Sequence, residues 1–295
     1  MMKFLFYLLI TLLSTSTFHA QVGIGTTTPD ASAQLEVKST EKGFLPPRLT
    51  TAQRDQNIVN PVEGLMIYNT NTKCLQVYDG QFWISACDGM PDVSTVIGAN
   101  GVEWMDRNLG ASQVATSSTD EDSYGDLYQW GRAADGHEKR ISDNYNGTSV
   151  RPNTITESGA WDGKFITIPN GTNRNDWVTT QTNDAWNTGT ESVPIKTATD
   201  PCPSGYRVPT EAEFQTESSN WNPDGAVGAF NSTLKLPLAG ERNFTNGGIG
   251  GPFGSYWMST ISGDRAKRLR IGGSPGIVYF NNDRAFGFSV RCLKD

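Results

Sequence analysis

The chain has 295 residues, is 36% hydrophobic and 19% charged, and carries a net charge of −7. That is apolar enough for a packed core and long enough for one large or two small domains. Its 31 Gly and 15 Pro make up about a sixth of the residues, above a background of about 12%, which disfavours long helices and predicts short strands joined by turns. An acidic chain without a Lys/Arg cluster excludes a phosphate-tracking surface and hence a nucleic-acid partner. Its densest basic stretch, residues 265–270, alternates like a strand with one charged face.

Residues 1–20 read as an export leader. Lys3 supplies the positive start, residues 4–13 form an apolar run too short to span a bilayer, and cleavage is expected before Gln21. No cysteine follows the cut, so no lipid anchor is expected, and no later run has the length of a transmembrane helix. The expected location is extracellular or at the cell surface, with the periplasm as the alternative.

Export makes the four cysteines informative. An even count in an oxidising compartment points to two bridges, although four cysteines permit three connectivities. Cys74 and Cys87 flank a hairpin-like alternation that runs into Asp79-Gly80, a type I′ turn signal. The favoured pairing is Cys74–Cys87 and Cys202–Cys292, the second closing a loop of about ninety residues.

Residues 21–92 are expected to form a small, mainly β N-terminal module. Residues 22–29 are rich in Gly, Thr and Pro and suit an extended edge, and residues 35–37 read as a short strand. Thr50 with Gln53 three residues on predicts a capped helix, and residues 64–68 another strand. Few apolar positions are available, so the module is expected to pack on its neighbour or to self-associate.

The ordered motifs Val-Gly-Ile-Gly-Thr, Gly-Phe-Leu-Pro-Pro-Arg-Leu-Thr, Gly-Leu-Met-Ile-Tyr-Asn-Thr and Cys-Leu-Gln-Val-Tyr-Asp-Gly-Gln-Phe-Trp in this stretch resemble the N-terminal module of exported Bacteroidetes surface proteins. That module is similar to segments of phage tail fibres and trimeric adhesins. The resemblance implies assembly or presentation, with a homotrimer as the expected oligomer, and brings no catalytic residues.

Residues 93–295 form the second expected domain. Residues 102–111 begin as a strand and end in a turn, and residues 133–187 show almost no periodicity, as in a region built of loops. Thr210 with Glu213 predicts the one clear helix start. Residues 234–240, 256–260, 268–271, 277–280 and 287–293 read as strands.

The order Asn-Leu-Gly-Ala, Tyr-Gly-Asp-Leu-Tyr-Gln-Trp-Gly-Arg, Asp-Pro-Cys-Pro-Ser-Gly-Tyr-Arg-Val-Pro-Thr, Leu-Lys-Leu-Pro-Leu-Ala-Gly, Gly-Ser-Tyr-Trp-Met-Ser-Thr and Gly-Phe-Ser-Val-Arg-Cys across residues 104–292 resembles the Fibrobacter succinogenes major paralogous domain. That family is similar to the C-type-lectin-like fold. The fold class expected is therefore α+β: a loop-rich C-type-lectin-like domain with short strands and few helices, plus the small β module. The resemblance supplies a fold and a location, without an activity.

Chemistry-bearing residues are sparse. After the leader His137 is the only histidine, so any triad or histidine metal site must use it. Its context, Asp-Gly-His-Glu-Lys, reads as an exposed loop. A hydrolase or lyase needs only a carboxylate pair, for which Asp126, Asp135, Glu211, Glu213 and Glu241 are available. Asn222 and Asp224, like Asn282 and Asp283, are weak calcium candidates, since Pro-Asp-Gly is also an ordinary turn. Trp161, Trp177, Trp186 and Trp221 lie in loop sequence and are the candidates for a sugar-stacking surface.

The function expected is a non-enzymatic surface or secreted binding protein that recognises a glycan or a surface protein through its loops, without a required cofactor. The alternatives are a carbohydrate-active hydrolase or lyase and a purely structural fibre component.

Overall fold

Thr50 and Thr210 each open a helix by the same exchange of hydrogen bonds. In the computed structural model, which describes residues 21–87, 93–99, 101–169, 176–272 and 276–295, Gln53 N–H donates to Thr50 Oγ1 at 3.1 Å. The Gln53 side chain accepts the Thr50 N–H at 2.9 Å. Thr210 and Glu213 repeat the pattern, so two orphan donors are satisfied at each helix start. The leader and the boundary at residue 92 lie outside the described residues.

In the N-terminal unit, β1 (Val22–Ile24) and β2 (Leu35–Val37) form a parallel pair. A second sheet runs in the order β3 (Arg48–Leu49), β4 (Met66–Asn69), β5 (Cys74–Tyr78) and β6 (Trp83–Ser85), with α1 (Thr51–Asn57) beside it. Its apolar core is small: Ile67, Cys74 and Trp83 are buried. A buried polar network supplements it. Arg54 Nη1 and Asn69 Nδ2 both donate to Gln76 Oε1, at 2.8 and 3.1 Å, and the Arg54 guanidinium stands 5.5 Å from the Trp83 ring centre.

The turn at Asp79-Gly80 is longer than the sequence signal implied. Tyr78 pairs with Trp83, leaving the four residues 79–82 in the loop. Asp79 Oδ1 accepts the N–H groups of Gln81 and Phe82 at 2.8 and 2.6 Å. The aspartate side chain thus holds a wider turn than a two-residue loop would allow.

The C-terminal unit distributes short strands over several sheets. In chain order they are β7 (Thr95–Ile97), β8 (Glu103–Met105), β9 (Tyr128–Gln129), β10 (Asn144–Asn146), β11 (Phe165–Thr167) and β12 (Tyr206–Arg207). After the helices α2 (Glu211–Ser218) and α3 (Ala226–Asn231) come β13 (Glu241–Arg242), β14 (Ile249–Gly250), β15 (Gly254–Ser262), β16 (Arg265–Ile271), β17 (Ile277–Asn282), β18 (Gly287–Phe288) and β19 (Leu293–Lys294). Two four-stranded sheets run β12-β19-β8-β7 and β14-β13-β18-β9. The longest strands form the antiparallel sheet β15-β16-β17, and β10 pairs with β11. The result is a mixed α+β fold with few helices, several sheets and much loop. Among the described residues no helix is long and apolar enough to cross a membrane.

Two predicted strands are corrected. Residues 234–240 form no ladder: Leu234 lies in a turn, Lys235 and Gly240 have positive φ, and Gly240 makes only an isolated bridge to Gly254. Leu236, Leu238 and Gly240 send their N–H groups to Ala229, Ser118 and Phe253 respectively, and Pro237 has none to give. Residues 287–293 are two strands, because the chain changes sheets. β18 pairs with β9 and β13, while β19 pairs with β8 and β12. Between them the carbonyls of Ser289, Val290 and Cys292 accept from Trp257, Leu109 and Met105.

Cys74 is bonded to Cys87 and Cys202 to Cys292, with Cα separations of 6.0 and 5.8 Å. Cys202 and Cys292 belong to a core that includes Trp130, Trp186, Tyr206, Trp257 and Phe288. A second core gathers Trp104, Phe214, Tyr256 and Leu269 behind α2. The aperiodic region has a third of its own, built on Trp161, Ile166, Ile168, Trp177 and Phe244.

Candidate functional site

His137 is not the exposed loop residue that its neighbours imply; it is fully buried. Its Nε2 accepts the Gln129 backbone N–H at 3.1 Å, and its Nδ1 lies 2.7 Å from Asp135 Oδ1 and 3.3 Å from Glu138 Oε2. Since Nε2 accepts, Nδ1 carries the proton and gives it to Asp135. Burial, reinforced by the nearby Arg132 charge, pulls the imidazole down to about 3. The ring is neutral at physiological pH.

Arg132 completes the cluster. It donates to Asp135 Oδ2 at 2.7 Å, to Gln129 Oε1 at 3.0 Å and to the carbonyls of Trp161 and Lys164, and it stacks 5.2 Å from the Trp177 ring centre. Burial pushes the Asp135 carboxyl up, but the His137 hydrogen bond and the Arg132 charge outweigh it and leave the group below its ordinary value. Glu138, with burial dominant, is raised.

Asp135, His137 and Glu138 are the one grouping among the described residues whose donor atoms approach one another closely enough for a shared ion, within 4.8 Å. Their bonding fits a metal poorly. The ring nitrogen that faces the carboxylates is the protonated one, and the other already accepts a main-chain N–H. An ion would have to break the Asp135 bond to gain a histidine ligand. What the cluster does is tie β9 to the loops at residues 131–142 and 161–164.

The five candidate carboxylates, Asp126 and Asp135 in loops, Glu211 and Glu213 in α2 and Glu241 in β13, are each held by a cationic partner. Asp126 pairs with Lys139 at 2.8 Å, Glu211 with Lys267 at 3.1 Å, Glu213 with Arg207 and Glu241 with Arg268 at 2.5 Å, and Asp135 with Arg132. Burial raises Glu213, yet the Arg207 and Thr210 bonds win and hold it low. Depressed values in Asp135 and Glu213 are opposite to what a glycosidase acid requires. Lys139 is raised, because Asp126 and Glu138 outweigh its desolvation, so it stands as a cation and not as a nucleophilic amine.

The four loop tryptophans are interior, which corrects the expected stacking surface. Trp161 donates to the Glu157 carbonyl at 3.0 Å and Trp177 to the Trp130 carbonyl at 2.8 Å. Trp186 packs 5.4 Å from Trp130, and Trp221 is buried behind α2. Sequence that reads as loop here encloses its own apolar core. Asn222 and Asp224 lie in the exposed turn between α2 and α3, while Asn282 ends β17 and Asp283 pairs with Arg265 at 3.0 Å. The weak calcium candidates belong to two separate turns.

A polar crevice of about 450 Å³ is lined by residues from both 51–83 and 93–139, with Asp55, Tyr78, Trp83, Arg107 and Lys139 on its walls. Asp55 is paired with Arg54 at 2.8 Å and Arg107 with Asp106 at 2.7 Å.

The least expected surface is apolar. Nine large hydrophobic side chains in the N-terminal unit are exposed: Val22, Ile24, Leu35, Val37, Phe44, Leu45, Val59, Val62 and Met66. Residues 23–102 match the model of the phage tail like trimerisation region. The matched stretch covers under a third of the chain and contains eight of those nine residues. No curated protein matches the chain, and no solved structure does. The alternation Val-Gly-Ile and Leu-Glu-Val was the available sequence signal for this surface; a reading as extended edge strands left its exposure unseen.

Proposed function

We propose that this chain is an exported structural or adhesive protein without catalytic activity, whose N-terminal module gathers three copies and whose C-terminal unit is the part displayed. The observation that carries the reading is the coincidence of the trimerisation-region match with the unburied apolar surface of residues 22–66. A non-catalytic role is supported by the bonding of the candidate groups: the histidine is neutral and saturated, and the candidate acids are paired. Sedimentation of the secreted chain tests the assembly, with three times the monomer mass expected and a monomer overturning it.

A second reading assigns recognition of a glycan or a protein to the C-terminal unit. It is supported by the resemblance of residues 104–292 to the Fibrobacter succinogenes major paralogous domain and, through it, to C-type-lectin-like domains. The crevice between the units is the better place for such a ligand than the tryptophans, since clefts at domain junctions are common ligand sites and its aromatic wall and polar rim suit a sugar. Glycan-array binding with and without chelator is the test. Binding lost in Arg107→Ala supports this site, and no binding to any glycan removes the glycan version.

A further inference from the structure

The pairing of β1 with β2 is unusual for what it leaves bare. Val22 stands beside Leu35, Gly23 beside Glu36 and Ile24 beside Val37. Side chains alternate across a strand, so Val22, Ile24, Leu35 and Val37 share one face, and Gly23 and Glu36 share the other. Parallel strands are found almost only with both faces covered, and an isolated two-stranded pair is marginal in water.

Only one of these faces is closed by the chain itself. A Cβ at Gly23 would come within 2.5 Å of the Thr26 carbonyl oxygen and 2.9 Å of Pro29 Cγ, so the connection between the strands folds back over that side. Glu36 fastens it, its carboxylate accepting the Asp30 N–H at 2.8 Å. Hydrogen bonds from Val22 N–H to Gln34 and from Lys38 N–H to Ile24, both 2.8 Å, extend the ladder at each end. The opposite face carries four aliphatic side chains, each 40–55% exposed, and no charge.

We infer that this apolar face is the surface on which three copies of the chain pack about a common axis. The inference rests on the assembly reading and adds its contact. Each face is uncharged, so identical copies meet without repulsion, and the family match spans the ribbon from residue 23 onward. Three such faces turned inward close a three-walled apolar prism, a ring that ends growth at three copies. The ribbon alone falls short of the roughly 800 Å² per partner of a stable interface, so the contact has to continue beyond it, and Phe44 and Leu45, exposed and next in the chain after β2, are the residues the proposal adds.

The test compares the secreted wild-type chain with Ile24→Asp/Leu35→Asp and, as a control that removes two exposed aliphatic side chains off the ribbon, Val59→Asp/Val62→Asp. Sedimentation velocity is expected to give a trimer for the wild type and the control and a monomer for the ribbon variant, with thermal unfolding of the C-terminal unit unchanged. A ribbon variant that stays trimeric overturns the inference and leaves the assembly reading standing. A monomeric wild type overturns the assembly reading itself. Should the ribbon variant fail to fold, Val37→Cys treated with a short bis-maleimide, which alkylates two thiols without oxidation, decides: a covalent link between copies on a denaturing gel is expected, and its absence overturns the contact.

Discussion

Arg291 Nη2 lies 2.9 Å from Asn108 Oδ1, joining residues 183 positions apart in the chain. The same guanidinium donates to the Leu234 carbonyl at 2.5 Å and to the Met105 carbonyl. It is buried, and desolvation draws it down to about 10 without removing its charge at neutral pH. Three otherwise separate segments are fastened by one planar fork.

Arg291→Leu strands the Asn108 and Leu234 acceptors in the interior. Each buried unsatisfied group costs about 1–3 kcal/mol, so a loss of about 2–6 kcal/mol is expected in denaturant unfolding. Arg291→Lys should recover little of it, because an ammonium cannot present the fork.

The buried histidine makes the protein sensitive to acid. Its folded value of about 3 lies below the ordinary 6.5, so as pH falls through that window the unfolded chain takes up a proton that the folded chain refuses. Stability therefore falls with falling pH, by at most about 1.4 kcal/mol per unit from this group. Asp135, held low, adds in the same sense below its ordinary 3.8, while Glu138, held high, opposes above its ordinary 4.5. The histidine share is the difference in slope between wild type and His137→Gln across pH 3 to 6.5, and equal slopes refute the assignment.

The two disulfides should differ in weight. By loop closure alone, Cys202–Cys292, spanning 90 residues, is worth about 4.5 kcal/mol, and Cys74–Cys87, spanning 13, about 3 kcal/mol. Unfolding of Cys202→Ser/Cys292→Ser and Cys74→Ser/Cys87→Ser against wild type measures both losses.

Trp177→Ala removes a buried indole and its hydrogen bond to Trp130. A loss of about 3–5 kcal/mol is expected, read as a lower unfolding midpoint. A variant of unchanged stability that loses glycan binding would return Trp177 to a recognition role.

Legibility in the sequence followed locality. Both capping boxes were readable, because Thr50 with Gln53 and Thr210 with Glu213 act across three residues. The strands of the β15-β16-β17 sheet were readable from alternation. His137 was not, because its own segment is polar and its burial comes from Gln129, Asp135 and the network that Arg132 draws together. The loop tryptophans failed likewise: their partners, such as Phe244 and Trp130, are remote in sequence. The ribbon face was half legible. Its alternation is local, but whether a face is covered is decided by the rest of the chain.

The antiparallel meeting of Trp104 and Leu293 has a consequence for how such proteins diversify. Where a segment of nearly two hundred residues enters and leaves at one seam, it hangs from its mount like a cartridge. Its loops can be rewritten, or the whole segment exchanged, while the seam keeps its geometry. On the assembly reading, one N-terminal module then carries many different heads.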